Sequence, residues 1–344
     1  MKIKAEDEKK LVFDILTKWG LNKENATIVA DATLDADLKG FTSHGLGRFP
    51  QYIRGIEHQT ININADIKIE KETEAIALIN GNLTFGQVSA YKAMKIAIKK
   101  AKKLGIAAVG THNSNHFGVT GFYSDLALKE SLIGITIANT EPAIAPLGGK
   151  TPVLGTNPIA ISIPSEKTYI ATDMATASSA RGKLLEAQRK GHEISEGIGL
   201  DKNGIPTTDP TEALKGSILP FGGHKGYALA FMIEILTGPL VGAGYGTGVC
   251  GTADTSVKCT KGDLFIAIDP DKFVGKDIFE KETEKFVEEI RETTPNTVVP
   301  GDIESKKVSA HKDTGLQIDS KLHKTLTEIC EKLDLNFNDY LCEK

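Results

Sequence analysis

Apolar residues recur at helical spacing from the start of the chain: Leu11, Val12, Ile15, Leu16 and Trp19 share one face, and Gly20 ends the pattern. A second helical pattern runs from about Glu24 to Leu38 and stops at Gly40. The opening stretch to about residue 60 therefore reads as helical. The period then changes. Glu74–Ile79 reads as a strand, Ser89–Leu104 as an amphipathic helix, Gly105–Gly110 as a buried strand and Ile133–Ala138 as another, with a helix through Phe122, Leu126 and Leu128 between the last two. Pro142–Pro158 is a turn-rich connection to the strand Ile159–Ile163, whose hairpin partner is Thr168–Thr172. Further on come an apolar helix, Tyr227–Leu236, the strand Leu264–Ile268 and a charged helix over about Asp277–Arg291. The turn Pro300-Gly301-Asp302 and a last helix, Ser320–Leu333, close the chain. This alternation predicts α/β layering without internal repeats.

A chain of 344 residues, 40% hydrophobic and 25% charged, has room for two domains. The most apolar run is broken by Glu234, so no membrane span is expected, and the N-terminus passes into charge without an apolar leader. The cytoplasm is the expected location. A net charge of −4 argues against general nucleic-acid binding, and Lys99, Lys100, Lys102 and Lys103 read as a solvated helix end. Cys250, Cys259, Cys330 and Cys342 lack paired spacing, so reduced thiols are expected. Lysine outnumbers arginine 36 to 5, with 5 Gln, a bias that fits heat adaptation and makes each arginine informative.

The chemistry starts at Phe41-Thr42-Ser43-His44-Gly45-Leu46-Gly47-Arg48-Phe49-Pro50. If Ser43 caps a helix, His44 and Arg48 lie on one face, and the helix dipole lowers the imidazole pKa. Such a pair exchanges a proton with a hydroxyl or carbonyl oxygen and grips a carboxylate. The plainer alternative is a capping histidine beside a surface arginine.

Thr111-His112-Asn113-Ser114-Asn115-His116-Phe117-Gly118 leaves the end of a buried strand, where α/β proteins keep their sites. His112 and His116 are four apart, but loop residues separate them and no Glu supplies a general base, so no metal is expected. His116 is a substrate or nicotinamide contact, or else a buried structural histidine. Asp173–Lys183 and Pro220–Gly226 are small-residue turns into helices, each an anion site with nearby Arg181, Lys183 or Lys225. Close helix–sheet packing is the alternative reading. Gly246–Gly251 spells G-x-G-x-x-G but neither leaves a strand nor opens a helix, so it is not a Rossmann fingerprint.

The chain resembles the malate/L-lactate dehydrogenase family that lacks a classical Rossmann fold. The resemblance rests on Ser43-His44-Gly45 with Arg48, Asn115-His116-Phe117-Gly118, Gly155-Thr156-Asn157-Pro158 and Asp173-Met174-Ala175-Thr176 with Ala180-Arg181-Gly182-Lys183. Pro206-Thr207-Thr208-Asp209-Pro210 and Gly223-His224-Lys225-Gly226 complete the set, in order over nearly the whole chain.

It implies an α/β fold of non-Rossmann type with a mixed sheet, plus a helical domain of residues 1–73 with 303–344 against an α/β domain of residues 74–302. It also implies a homodimeric 2-hydroxycarboxylate dehydrogenase using NAD or NADP, with NADH favoured, acting on a small 2-oxo or 2-hydroxy acid. His44 corresponds to the family's proton donor, with His116 as the other catalytic candidate, and Arg48 to its carboxylate site. Ser43, His116 and Arg181 are further substrate candidates. Asp173, Met174, Ala175, Thr176, Ser178, Ser179, Arg181, Lys183, His224, Lys225, Pro300, Gly301 and Asp302 match cofactor-contacting loops. Asp173 is left between a ribose hydroxyl and orienting His44, and Arg181 and Lys183 between a second substrate anion and a 2′-phosphate.

Within the family, the Lys-rich, Arg-poor chain is most similar to methanogen enzymes that reduce sulfopyruvate in coenzyme M biosynthesis, and possible methanopterin-pathway reduction of 2-oxoglutarate comes with that likeness. Oxaloacetate is the alternative substrate. Outside the family, the competing readings are a metal-dependent hydrolase and a non-catalytic binding protein.

Overall fold

The computed structural model describes residues 1–342. Its centre is a seven-stranded sheet in the order Lys68–Glu72, Ile76–Asn80, Ile106–His112, Asp263–Ile268, Ile133–Ala138, Ile159–Ile163 and Ile170–Met174. Only Ile76–Asn80 and Ile106–His112 run parallel, joined by the crossover helix Gly86–Leu104; the other neighbours are antiparallel. A Rossmann sheet needs a parallel set with crossover helices. Here the late strand Asp263–Ile268 inserts antiparallel between two earlier ones. The sheet is mixed and non-Rossmann, as the family resemblance implies.

The central strand shows why the sheet is covered on both faces. Phe265 and Ala267 pack with Ala93, Met94 and Ala97 of the crossover helix, while Leu264 and Ile266 pack with Ile233 of the helix His224–Thr237. Side chains two apart share a face, so one strand feeds two apolar layers. Glu234, which interrupts that apolar helix, is buried and accepts from Asn157 Nδ2 at 2.7 Å and Gly246 N at 2.8 Å.

The two chain ends share another core. Leu11 and Ile15 of the helix Ala5–Lys18 pack with Leu326 and Phe337, and Lys2–Ile3 pairs with Leu316–Gln317. Phe85 and Val88, at the start of the crossover helix, also enter this core.

Most anticipated elements are present within a few residues. The hairpin Ile159–Ile163 with Ile170–Met174 is as expected, and the strand expected at Glu74–Ile79 begins instead at Ile76, after a turn in which Ile76 N donates to Thr73 Oγ1 at 3.1 Å. Two elements carry no hydrophobic signal. The helix Asp302–Thr314 has no buried residue, and the edge strand Lys68–Glu72 is exposed throughout.

Candidate active site

The His44–Arg48 segment corrects one expectation. Ser43 does not cap a helix; residues 41–44 form a turn closed by His44 N to Phe41 O at 2.8 Å, and Leu46–Arg48 is a single 3₁₀ turn. The helix proper is Phe49–Glu57, with Pro50 in its first turn. Gly45 is the cause. Its backbone is non-helical, and the Asp37 carboxylate occupies the space a Cβ there would need. Ser43 Oγ instead lies 3.0 Å from His44 Nδ1.

His44 stacks on His116 with ring centroids 5.6 Å apart and planes 28° from parallel. Burial, and then the Arg48 charge, lowers the His44 pKa to about 4, so the ring is neutral near pH 7. The shift expected from a helix dipole is present, but burial produces it. His116 is lowered further by burial, Arg48, His44 and Lys261.

Its tautomer follows from its partners. Gly118 N–H donates to Nδ1 at 3.2 Å, and the Tyr52 hydroxyl lies 2.9 Å from the same nitrogen. A neutral imidazole accepting at Nδ1 carries its proton on Nε2.

Arg48 donates from Nη2 to Thr252 O at 2.7 Å, where Gln51 Nε2 also donates at 2.9 Å, and its buried Nε has no partner among the described residues. The Thr252 and Ala253 amides donate to Glu141 Oε1 at 2.7 and 3.0 Å. Arg48 is thus fixed through Nη2 and keeps an unsatisfied donor at Nε. Gln51 and Tyr52 lie three and four residues after Arg48, a spacing that could have flagged them in the sequence. Glu141 and Thr252 arrive from distant loops and carried no such signal.

The loop bearing His116 is held by Asn115, whose Nδ2 donates to Leu83 O at 2.8 Å and Thr84 O at 3.0 Å. His112 turns elsewhere, with Nε2 2.8 Å from Glu70 Oε2. Next to His116, Phe117 receives the ammonium of Lys261 over its ring at 4.1 Å, and Lys261 pairs with buried Asp263.

Asp173, Pro300 and Gly301 line a cleft of about 340 Å³ with Lys39, Phe41, Tyr169 and Glu304. Asp173 accepts from Gly121 N at 2.6 Å, and burial raises its pKa to about 6 despite that bond. Asp302 is turned into its own loop, accepting from Val299 N at 3.0 Å and Arg291 at 2.9 Å, while Glu304, not singled out from sequence, faces the cleft. Lys39 is paired with Asp35 at 2.8 Å and Asp125 at 2.6 Å, and Tyr169 donates to Asp125 at 2.9 Å.

The two small-residue turns are neighbours: Ala177 bridges Pro220, and Phe221 N donates to Thr176 O at 3.0 Å. Thr176 is buried with amide and hydroxyl both on Thr156 O, Ser178 donates to Leu219 and Ile198 carbonyls, and Ala175 packs into the adjacent core. Met174, Arg181, Lys183, His224 and Lys225 are exposed, and Ser179 is half-buried. Gly222 and Gly223 have positive φ and open space where side chains would stand, just before the helix His224–Thr237. Open glycines, a helix N-terminus and a nearby lysine suit a phosphate. Near Gly182, a Cβ would stand 3.8 Å from Ser43 Cβ, which links the first helix start to the His44 segment.

The chain belongs to the malate/L-lactate dehydrogenase family, whose sequence profile matches residues 3–327. It is an oxidoreductase acting on CH–OH groups, and the family implies a nicotinamide cofactor. The chain is 59% identical to the malate/(S)-sulfolactate dehydrogenase of Methanothermus fervidus over 335 residues, 97% of this chain and 99% of that one. It is 57% identical to the L-sulfolactate dehydrogenase of Methanothermobacter thermautotrophicus over 336 residues, 98% of each. The solved sulfolactate dehydrogenase from Methanocaldococcus jannaschii superposes with a TM-score of 0.95 at 53% identity, covering 99% of both chains.

Proposed function

We propose that the chain reduces sulfopyruvate to L-sulfolactate, and the reverse, with oxaloacetate and malate as the second substrate pair. The observation that carries the chemistry is the stacked His44–His116 pair beside Arg48. The names of the similar chains support the substrate. A nicotinamide cofactor, NADH by preference, would when bound supply or accept the hydride that substrate C2 exchanges. Asp173, Pro300 and Gly301 would hold one end of it, and the Gly222–Gly223 turn with Lys225 a phosphate.

Arg48 binds the substrate carboxylate through the donors that Thr252 leaves free. His44, neutral near pH 7, accepts the hydroxyl proton in oxidation. In reduction, the bound anion offsets the Arg48 charge that helps hold His44 down, so His44 takes up the proton that it delivers to the carbonyl oxygen. His116, with its proton on Nε2, assists by donating to the same oxygen. Arg181, exposed beside Pro142 at the first small-residue turn, is the candidate for the second anionic group.

With that substrate the proposed activity would serve coenzyme M assembly, with 2-oxoglutarate reduction for methanopterin as a second use, in a cytoplasmic and heat-adapted enzyme. A homodimer is supported by the exposed apolar side chains Phe231, Met232, Ile235 and Leu236 on one helix with Leu240 beyond it.

The deciding experiment follows NADH oxidation with sulfopyruvate, oxaloacetate, 2-oxoglutarate and pyruvate in parallel, then with NADPH. The highest kcat/KM is expected on sulfopyruvate with NADH. A clear preference for oxaloacetate would replace the proposal with malate dehydrogenase, and no oxidation with any of the four would overturn it.

A further inference from the structure

Beneath the His44 turn lies a pair of carboxyl groups that neither proton transfer nor anion binding uses. Asp37, at the C-terminal end of the helix Lys23–Leu38, is 6% exposed, and Glu8 of the helix Ala5–Lys18 is 1% exposed. The two helices pack against each other, and each carboxyl acts on the proton affinity of the other at hydrogen-bond range, an arrangement that requires a proton between them. Glu8 Oε1 is buried without a hydrogen-bond partner among the described residues.

Asp37 Oδ2 accepts the Leu46 amide at 2.5 Å, and the same carboxyl fills the space below Gly45. Leu46 is 2% exposed, so this contact is sealed from water. The other ionisable groups nearby come from one further helix and from the residue that follows Asp37's own helix. His311, on the helix Asp302–Thr314, faces Asp37 with Nδ1 2.9 Å from Leu38 O, while Lys39 turns away to Asp35 and Asp125. Lys307 of the same helix packs over Gly40.

We propose that the Glu8–Asp37 pair is a positioning device for the turn that carries His44 and Arg48: one shared proton holds the two carboxyls together, and Asp37 in turn fixes Gly45 and Leu46. The assignment rests on reading His44 and Arg48 as the acid–base and anion-binding groups. Neither carboxyl touches substrate; both act through the backbone of the turn.

The pH dependence has a definite sign. Burial raises Asp37 to about 6 and Glu8 well above the carboxylate range, so the fold favours their protonated forms. The stability they contribute is full below about pH 4 and is lost as pH rises through about 6 and beyond. Once the shared proton leaves, two negative charges face each other beneath Gly45.

The test compares the full-length chain with Asp37→Ala, Asp37→Asn and Glu8→Gln by deuterium exchange over residues 41–49, steady-state kinetics and melting against pH. Asp37→Ala should speed exchange at Gly45–Arg48 at least about tenfold, because the amide acceptor is gone. It should also lower kcat at least about tenfold while KM for NADH stays within about twofold. Asp37→Asn keeps an acceptor for Leu46 and a donor for Glu8, and should restore both readouts to within about threefold. Glu8→Gln should remove most of the wild-type fall in Tm between about pH 5 and 9.

Unchanged exchange in Asp37→Ala, or an Asp37→Asn variant as impaired as Asp37→Ala, would overturn the proposal. Should Asp37→Ala fail to fold, Glu8→Gln still decides, since a melting profile parallel to wild type would overturn it as well. A wild-type enzyme inactive on all 2-oxo acids would remove the functional reading alone. Exchange and melting judge the carboxyl pair separately.

Discussion

His44 owes its low proton affinity to burial and to the Arg48 charge, and each cause has a measurable consequence. The pH profile of kcat/KM reports groups of the free enzyme. In the oxidative direction it should stay level down to about pH 5 and fall through a limb near the His44 value of about 4. A limb at the ordinary histidine value, near 6.5, would take the base role from His44. His44→Ala should cost about 10²- to 10⁴-fold in turnover with cofactor binding retained, as measured by nucleotide fluorescence. Arg48→Lys keeps the charge but loses the fork that holds Thr252 and that we propose holds the substrate carboxylate. Its KM for every 2-oxo acid should rise at least about tenfold, and an unchanged KM would remove Arg48 from the site. His44, Arg48 and His116 were legible as residues because arginine is scarce in this chain and the histidines lie in turns beside Gly45 and Gly118. Tyr52, Glu141 and Thr252 were not, since their importance is a matter of which atoms they meet.

At the scale of elements, the segments read correctly are those with a buried face. The helix Ala5–Lys18 buries Leu11, Val12, Ile15 and Leu16, so its period is written in the chain. The helix Asp302–Thr314 buries nothing and leaves no period to read. The Ser43 cap failed for another reason: a capping residue is a local preference, and Asp37 against Gly45 overrides it. Close approach also governs the start of the crossover helix, where Gly86 lies against the Asn115 and His116 backbone. Gly86→Ala must push that loop away, at a cost of about 1–3 kcal/mol in chemical denaturation. Because the loop carries His116, kcat/KM should fall too. A variant with wild-type stability would show that the loop has slack.

For the whole molecule, the N-terminal helices are tied to the sheet by a buried ion cluster. Burial works against the Lys39 ammonium, but Asp35 and Asp125 more than offset it and raise its pKa. Lys39→Met would leave Asp125 and Asp35 without their cation and should cost about 3–5 kcal/mol, read as a lower Tm. A loss under about 1 kcal/mol would mean that water already reaches the cluster. The apolar face of the helix His224–Thr237 belongs to the same scale. Light scattering should find twice the chain mass for the wild type and a single chain mass for Ile235→Glu with Met232→Glu. A wild-type monomer would sink the homodimer proposal.

Hydrophobic periodicity by itself determined the order and kind of the main elements, because burial of one face leaves a period in the chain. The ordered motifs likewise marked the family before any coordinates. Tertiary structure alone decided that the late strand Asp263–Ile268 enters the middle of the sheet, that two separate small-residue turns lie side by side, and that Thr252 and Glu141 meet Arg48. These are contacts between residues far apart in sequence. Their free energy depends on where water is excluded and which polar atoms are left facing each other, and no local pattern records either.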